Sequence, residues 1–421
     1  MTSSLRNPID TEDQRAVERR ALELFEHPRI VGAVKEIREY WLKSVPRSAD
    51  MLSCFDRAFE EVMFASIVWS LNQDPLYPKV VTITRLPHQM GGKRVPGTRW
   101  GIDNPDSVYR VIPISGAEKY VIRGRIPENR VTENYFTLWD PKMGTVDVLD
   151  GKTIVMNPDR TFEIEVDSDP KGNRKNHVRS APHAHEFYIR DVVMDWKTEM
   201  INDLSIERLG GKPSRPPFTP QEELDRAVEY MWKWAKETDR WEAQTAGKPD
   251  NSFAFTIDRD SDGALRNQIY IMGRFKLPSN DNTPDQALVI DVDLGGADYF
   301  IAPITNVWGT TNDIHHRNGS MNRAQSVANA DGTLTFVLSP KDPGVWNWID
   351  PCDMKEGTLT LRWAEFKGGK PGPSLRATGK VVALAEVRSH VPAGTRFVTA
   401  AERKAQLAER AASYDWRIAE N

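Results

Sequence analysis

The chain repeats itself. Residues 120–196 run Y-V-I-R-G-R-I-P, Y-F-T-L-W-D, N-P-D-R-T-F-E-I-E-V-D-S-D-P, N-H-V and E-F-Y-I-R-D-V-V-M-D-W. Residues 270–366 run Y-I-M-G-R-F-K-L-P, Y-F-I-A-P-I-T-N-V-W-G, N-A-D-G-T-L-T-F-V-L-S-P-K-D-P, N-W-I-D and G-T-L-T-L-R-W-A-E-F, in the same order and at roughly the same spacing. Each block is a series of short strands punctuated by turns such as Asp150-Gly151 and Asn157-Pro158-Asp159. So long a period excludes a solenoid or propeller and predicts a duplicated domain. Even, turn-punctuated strands indicate sandwiches rather than a parallel sheet. Two sandwiches that face each other leave a cleft, a usual place for a ligand.

Helical patterns flank the repeats. Residues 11–44 read as one helix, with Thr11 and Asp13 as caps and Leu22, Leu24, Phe25, Ile30, Val34, Ile37 and Trp41 near helical spacing. Residues 50–72 read as a second, ended by Asp74-Pro75. The Pro- and Gly-rich stretch at 210–220 is a linker, after which Thr219 caps a helix with Pro220 in its first position. An Ala-rich helix with opposite charges at helical spacing closes the chain. The expected layout is a helical region at 1–95, a first sandwich at 96–200, a linker and helix at 201–250, a second sandwich at 251–398 and a terminal helix at 399–421. The fold class is therefore mainly β, with two related, jelly-roll-like β-sandwich modules and a helical N-terminus, linker and tail.

Bulk properties exclude several function classes. A chain of 421 residues has room for two or three cores. Its net charge of -4, with no basic stripe interleaved with aromatics, argues against a nucleic-acid partner. No apolar run is long enough to span a bilayer, so no membrane role is expected. Two distant cysteines, Cys54 and Cys352, make no disulfide framework. The polar start lacks a secretory core, which gives a cytoplasmic default. No Gly-rich dinucleotide fingerprint, phosphate loop or serine nucleophile elbow is present. What remains is acid–base chemistry by the chain's own side chains, or binding; a homodimer is left open.

Four segments offer chemistry. Five of the eight histidines lie in two short loops: His177, His183 and His185, and then His315 and His316. A strand carrying His183 and His185 would turn both rings to one face, suited to proton transfer or, with Glu186 or Asp313, to a metal. Loop 100–110 crowds Trp100, Asp103, Asn104, Asp106, Tyr109 and Arg110 together, either as a substrate-positioning cluster or as a Pro turn whose Asn and Asp satisfy their own backbone. Asn347 lies between Trp346 and Trp348, where the three would line an aromatic pocket or anchor a loop. Asp258, Asp260 and Asp262 before Gly263 match the start of a calcium loop, but Ile269 stands where the closing Glu belongs, so a hairpin turn fits better.

The second repeat resembles a bacterial family known as Domain of Unknown Function family 1214. The resemblance rests on Tyr299-Phe300, Asn306 to Gly309, N-A-D-G-T-L-T-F at 329–336, D-P-G-V-W-N-W at 342–348 and L-R-W at 361–363. It covers roughly the last third of the chain and implies a β-sandwich in a small-molecule setting, in bacterial pathways that degrade aromatic or terpenoid compounds. At the N-W position the first repeat carries Asn176-His177 instead. The expected function is a cofactor-free acid–base enzyme, most plausibly a lyase, acting on a hydrophobic aromatic small molecule, for example by elimination from a phenolic side chain. His183, His185, Tyr109, Asp106 and Arg110 would be catalytic. Trp100, Asn104, His177, His315, His316, Asn347 and Trp348 would bind substrate. The alternatives are a non-catalytic sandwich that binds a small molecule or carbohydrate, and a metal-dependent hydrolase or oxygenase built on the histidine loops.

Overall fold

Eight strands recur in the same order in each half of the protein. A computed structural model describes residues 7–44, 48–253, 268–277 and 285–421. The strands of the first half are Ser107–Pro113, Lys119–Arg125, Glu133–Trp139, Thr145–Asp150, Thr161–Asp167, His177–Arg179, Glu186–Val192 and Asp203–Leu209. Those of the second are Gln268–Lys276, Gln286–Asp293, Ala297–Thr305, Ser320–Asn322, Leu334–Leu338, Trp348–Ile349, Glu356–Phe366 and Arg376–Ala383. In both halves one sheet has the order first, seventh, third, fourth, and the other has the order eighth, second, fifth, sixth. The fifth and sixth strands pair in parallel in both, whereas the other neighbours are antiparallel. Val81–Thr82 adds a fifth strand to the first half's inner sheet. The protein is thus a pair of topologically identical β-sandwiches.

Hydrogen bonds repeat as faithfully as the strands. Asn176 Nδ2 donates to the carbonyls of Val155 and Glu163, and its Oδ1 accepts the Val155 N–H. Asn347 does the same with Val327 and Thr335. Each asparagine ties a loop to the fifth strand, so neither amide is left for a ligand. Trp348 Nε1 donates to the Ser339 carbonyl at 2.9 Å and its ring packs in a small core with Val289 and Val337. Asn347 and Trp348 are therefore structural. Replacing either asparagine with Ala is expected to cost roughly 2–3 kcal/mol, because three hydrogen bonds go and buried partners stay unsatisfied. Urea denaturation of Asn176→Ala and Asn347→Ala checks this, and a loss under 0.5 kcal/mol would contradict it.

One part of the sequence alignment needs correction. Residues 119–125 belong to an outer sheet, paired with Asp203–Leu209 and Thr161–Asp167, so their counterpart is Gln286–Asp293. The partner of Gln268–Lys276 is instead Ser107–Pro113, each paired with the seventh strand of its own half. Alternating strands that end in proline look alike, and the pattern alone carries no sheet assignment.

The helices also differ in detail. The N-terminal helix is two, Glu12–Phe25 and Pro28–Ser44. Pro28 lacks an N–H and constrains His27, so the first helix ends and a second starts. The next is likewise split into Ala49–Leu52 and Phe55–Leu71. Phe55–Leu71 is buried on nearly every side. The long linker helix Pro220–Ala246 packs against it and against Pro28–Ser44 through Trp234, Trp69 and Trp41. Ala400–Tyr414 opens with a full capping box from Thr399 and Glu402, as helix-start chemistry requires. No helix among the described residues is long and apolar enough to cross a membrane. Asp258, Asp260, Asp262 and Gly263 lie outside the described residues.

Candidate functional site between the modules

A strand shows alternate residues to opposite faces, and in the first module's inner sheet the two faces differ sharply. One face holds Ile112, Phe136, Leu138, Phe187 and Ile189 against the outer sheet. The other carries Tyr109, Glu133, Tyr188 and Arg190 toward the second module. There the corresponding sheet presents Gln268, Tyr270, Met272, Thr360 and Arg362. These residues line one cavity of about 430 Å³ between the modules, within the usual range for a small-molecule site. Val192, Tyr299, Ile301 and Ala364 pack the modules together beside it.

Aromatic rings form the walls. Trp139 stacks on Tyr188 with ring centroids 4.1 Å apart and planes 11° from parallel. Trp100 and Trp241, 4.9 Å apart, form a second wall. Behind Trp100 lies Trp234, at 4.3 Å. Gly101 has a positive φ of 73°, and a Cβ there would meet the Trp241 ring at 2.9 Å, so only glycine lets the loop pass under this wall. The loop is fastened to the second module: Ile102 N–H donates to the Gly309 carbonyl at 2.7 Å, and Asp103 accepts the Thr311 N–H and hydroxyl.

The charged groups are unevenly distributed. Among the described residues, Arg190, Arg240, Lys248 and Arg362 face the cavity against a single carboxyl, Glu133, with Arg240 paired to Glu237 at 2.7 Å. Glu133 is fully buried, and burial, reinforced by Glu365, pushes its pKa up to about 7 despite the hydrogen bond from Gln268 and the Arg190 charge. Its Oε1 accepts from Gln268 Nε2 at 2.5 Å, and Gln268 Oε1 accepts the Tyr270 hydroxyl. Its Oε2 has no hydrogen-bond partner among the described residues. A buried carboxyl in the lining of a ligand cavity, anchored through one oxygen and with a pKa near neutrality, has the form of a general acid or base. Burial also raises the Tyr188 and Tyr270 phenols, which keeps them as neutral donors.

The duplication supplies the symmetry of this site. Tyr109 pairs across its sheet with Arg190, and Tyr270 with Arg362, at equivalent strand positions. Ser107 and Gln268 are equivalent in the same way, as are Tyr188 and Thr360. Glu133 breaks the relation, since its counterpart, opposite Ala364 as Glu133 is opposite Val192, is Tyr299.

The structure separates the residues singled out in the sequence. Trp100, Asn104 and Tyr109 line the cavity. Tyr109 Oη accepts the Asn104 N–H at 3.2 Å, which leaves its own proton to donate. Asp106 lies behind them, buried, accepting from Trp196 at 2.7 Å, from Asn322 at 2.9 Å and from Tyr299 at 3.0 Å. Burial raises its pKa to about 6, with Asn322, Arg417, Trp196 and Tyr299 opposing. Asn104 Nδ2 donates to Tyr299, so Asp106 reaches the cavity only through these neighbours. Arg110, one residue after Tyr109, faces the sandwich interior, where it pairs with Asp191 at 2.6 Å and donates to the Asn202 carbonyl. It is structural, not catalytic.

None of the histidines reaches the cavity. His183 and His185 precede the strand Glu186–Val192 in a turn, so strand alternation never aligns their rings; His183 is exposed and His185 half-buried. Glu186 is engaged by Trp69 and Gln73. His177 bonds Asp167 at 3.0 Å in the outer sheet. His315 bonds Asp415 at 2.8 Å, while His316 is exposed. Among the described residues no group of three or more His, Cys, Asp and Glu is placed to hold a metal. His183→Ala and His185→Ala are expected to change stability by less than about 0.5 kcal/mol and ligand affinity not at all, which calorimetry checks.

Sequence reasoning missed Glu133, Tyr188, Arg190, Tyr270 and Arg362. The signal for the arginines was present, because the repeats align Y-I-R at 188–190 with T-L-R at 360–362. Glu133 gave none; it reads as one more polar residue after a turn.

Fold and site define a class: duplicated β-sandwich proteins with a cationic, aromatic-walled cavity between the two halves. The protein is similar to an uncharacterized protein from Burkholderia cenocepacia, with a TM-score of 0.73 and 23% identity over 87% of this chain and 99% of that one. That likeness shows the fold alone. A protein from Vibrio parahaemolyticus is more distant, with a TM-score of 0.45 and 12% identity over 78% of this chain and 99% of that one. No protein-family model matches the chain, and no curated protein matches it significantly.

Proposed function

We propose that the protein is an acid–base enzyme, a lyase, acting on a flat, hydrophobic aromatic molecule bound between the modules, as expected of bacterial aromatic catabolism. The observation that carries this reading is the buried carboxyl of Glu133 in the lining of an aromatic-walled cavity, its Oε2 without a hydrogen-bond partner among the described residues. In an elimination, Glu133 Oε2 takes the proton, and the electron pair it leaves is delocalised toward a substrate oxygen. A leaving group then departs from the adjacent carbon with its bonding pair. Arg190, Arg362 and the Tyr109 hydroxyl surround the cavity and offset the charge that develops on that oxygen. Trp100, Trp139, Tyr188 and Trp241 hold the ring. Acid–base work therefore passes from the histidines to Glu133, while Tyr109 keeps the role expected of it.

A panel of phenolic and acidic aromatic compounds, followed by mass spectrometry, tests the reading. Consumption by the native protein, lost in Glu133→Gln, is the expected result. Full turnover by Glu133→Gln would overturn it. Binding without turnover of any compound would favour the non-catalytic alternative.

A further inference from the structure

The duplication assigns a head group to the ligand. We infer that the cavity binds a carboxylate between the modules, one oxygen on Arg190 and the Tyr109 hydroxyl and the other on Arg362, the Tyr270 hydroxyl being already spent on Gln268. This deepens the reading of the cavity as an aromatic-substrate site and rests on it.

Three observations converge on a two-oxygen anion. First, the same cross-strand Tyr–Arg pair is delivered twice, at equivalent register, to one cavity. A carboxylate has two equal oxygens related by its own two-fold axis and accepts two sets of donors in the same way; a phenolate has one oxygen, and an amide has one acceptor and one donor. Second, the pairs line the same cavity and sense each other's charge. The Tyr270 phenol feels the Arg190 charge as well as that of Arg362, and Arg362 feels Tyr109 as well as Tyr270. Third, the described lining is cationic, with four basic side chains to one carboxyl, and although Arg240 is paired with Glu237 at 2.7 Å, the field in the cavity favours an anion.

The departures from symmetry orient the rest of the ligand. On the first module's side the seventh strand offers Tyr188, stacked on Trp139, where the second module has Thr360. Trp100 and Trp241 form the second wall, and Trp241 comes from the linker helix. The ring therefore lies toward the first module and the linker helix, and the substrate class is an aryl carboxylic acid.

Calorimetry with trans-cinnamate, cinnamamide and 4-vinylphenol, which share a flat skeleton and differ in head group, tests the inference. Cinnamate is expected to bind at least tenfold more tightly than the other two. Arg190→Met and Arg362→Met should each remove most of that preference, and the double variant should lose little more, because both arginines hold one group. Arg362→Lys keeps the charge without the fork and should also lose most of it, a control for variants that merely fold poorly. Equal binding of all three probes would overturn the carboxylate assignment and leave the aromatic site standing. A preference for cinnamate that survives both arginine substitutions would overturn it as well. Failure of every probe to bind would overturn the reading of the cavity and the inference with it.

Discussion

Glu133→Gln is expected to slow turnover by roughly 10²–10⁴-fold, the usual contribution of a positioned acid or base, while making the fold more stable above neutral pH. The two effects share one cause. Glu133 is fully buried, and its pKa rises from an ordinary value near 4.5 to about 7. A folded-state pKa above the unfolded value means that the folded protein prefers the protonated carboxyl. Its contribution is fully present below about pH 4.5 and is lost as pH rises through 7. By pH 8 the buried charge costs roughly 3 kcal/mol, at about 1.4 kcal/mol per pK unit. Glutamine carries no charge at any pH and still accepts the Gln268 hydrogen bond through its amide oxygen. Urea denaturation of both proteins at pH 5 and pH 8.5 separates the outcomes. The variant should match the native protein within about 1 kcal/mol at pH 5 and exceed it by roughly 2–3 kcal/mol at pH 8.5. A difference independent of pH would mean that the Glu133 carboxyl ionises as an ordinary surface group does.

Arg110→Met should have the largest effect on stability and none specific to the ligand. Arg110 is 2% exposed and Asp191 fully buried, and their ion pair lies in the sandwich interior among apolar side chains. Burial pushes the Asp191 pKa up, and Arg110 opposes that push. Asn134 donates to the other Asp191 oxygen at 2.8 Å, and Asn202 donates to Asn134 at 3.1 Å, so the network is closed on itself. Removing one partner of such a pair costs about 3–5 kcal/mol, because a buried charge loses its counter-ion. Replacing both, as in Arg110→Met with Asp191→Leu, should recover a large part of that loss. Denaturation midpoints of the single and double variants check this, with cinnamate affinity measured on whatever remains folded. A stable Arg110→Met protein that had lost ligand affinity would return Arg110 to the site.

These two residues also mark how far the sequence could be read. Tyr109 and Arg110 are adjacent, and composition rates them equally. Only the strand's alternation puts one in the cavity and the other in the core, and the phase of that alternation depends on which face is buried. The duplicated sandwich fold, though not its strand order, followed from the turn-bounded blocks, because the N-x-D-x-T turns and the Asn that ties a loop to the fifth strand are local and keep their sequence when duplicated. Asn157 and Asn329 make matching turn bonds with Thr161 and Thr333. The loop at 100–110 was legible as a site for a similar reason, since its residues are close in sequence. Glu133, Arg190 and Arg362 were not, because they are far apart and meet only when the modules close. The histidine loops drew notice by residue type alone, and a turn before a strand gives no means of holding two rings together.

Titration of Glu133 by carbon-detected magnetic resonance, in protein labelled at the glutamate side-chain carboxyl and assigned against Glu133→Gln, tests the central claim most directly. The expected midpoint in the free protein is about 7. Saturation with trans-cinnamate should move it higher, because a second negative charge in the same cavity disfavours ionisation. A midpoint near 4.5, or one that cinnamate leaves unchanged while bound, would contradict the account: Glu133 would then be neither the acid–base group nor a neighbour of the ligand.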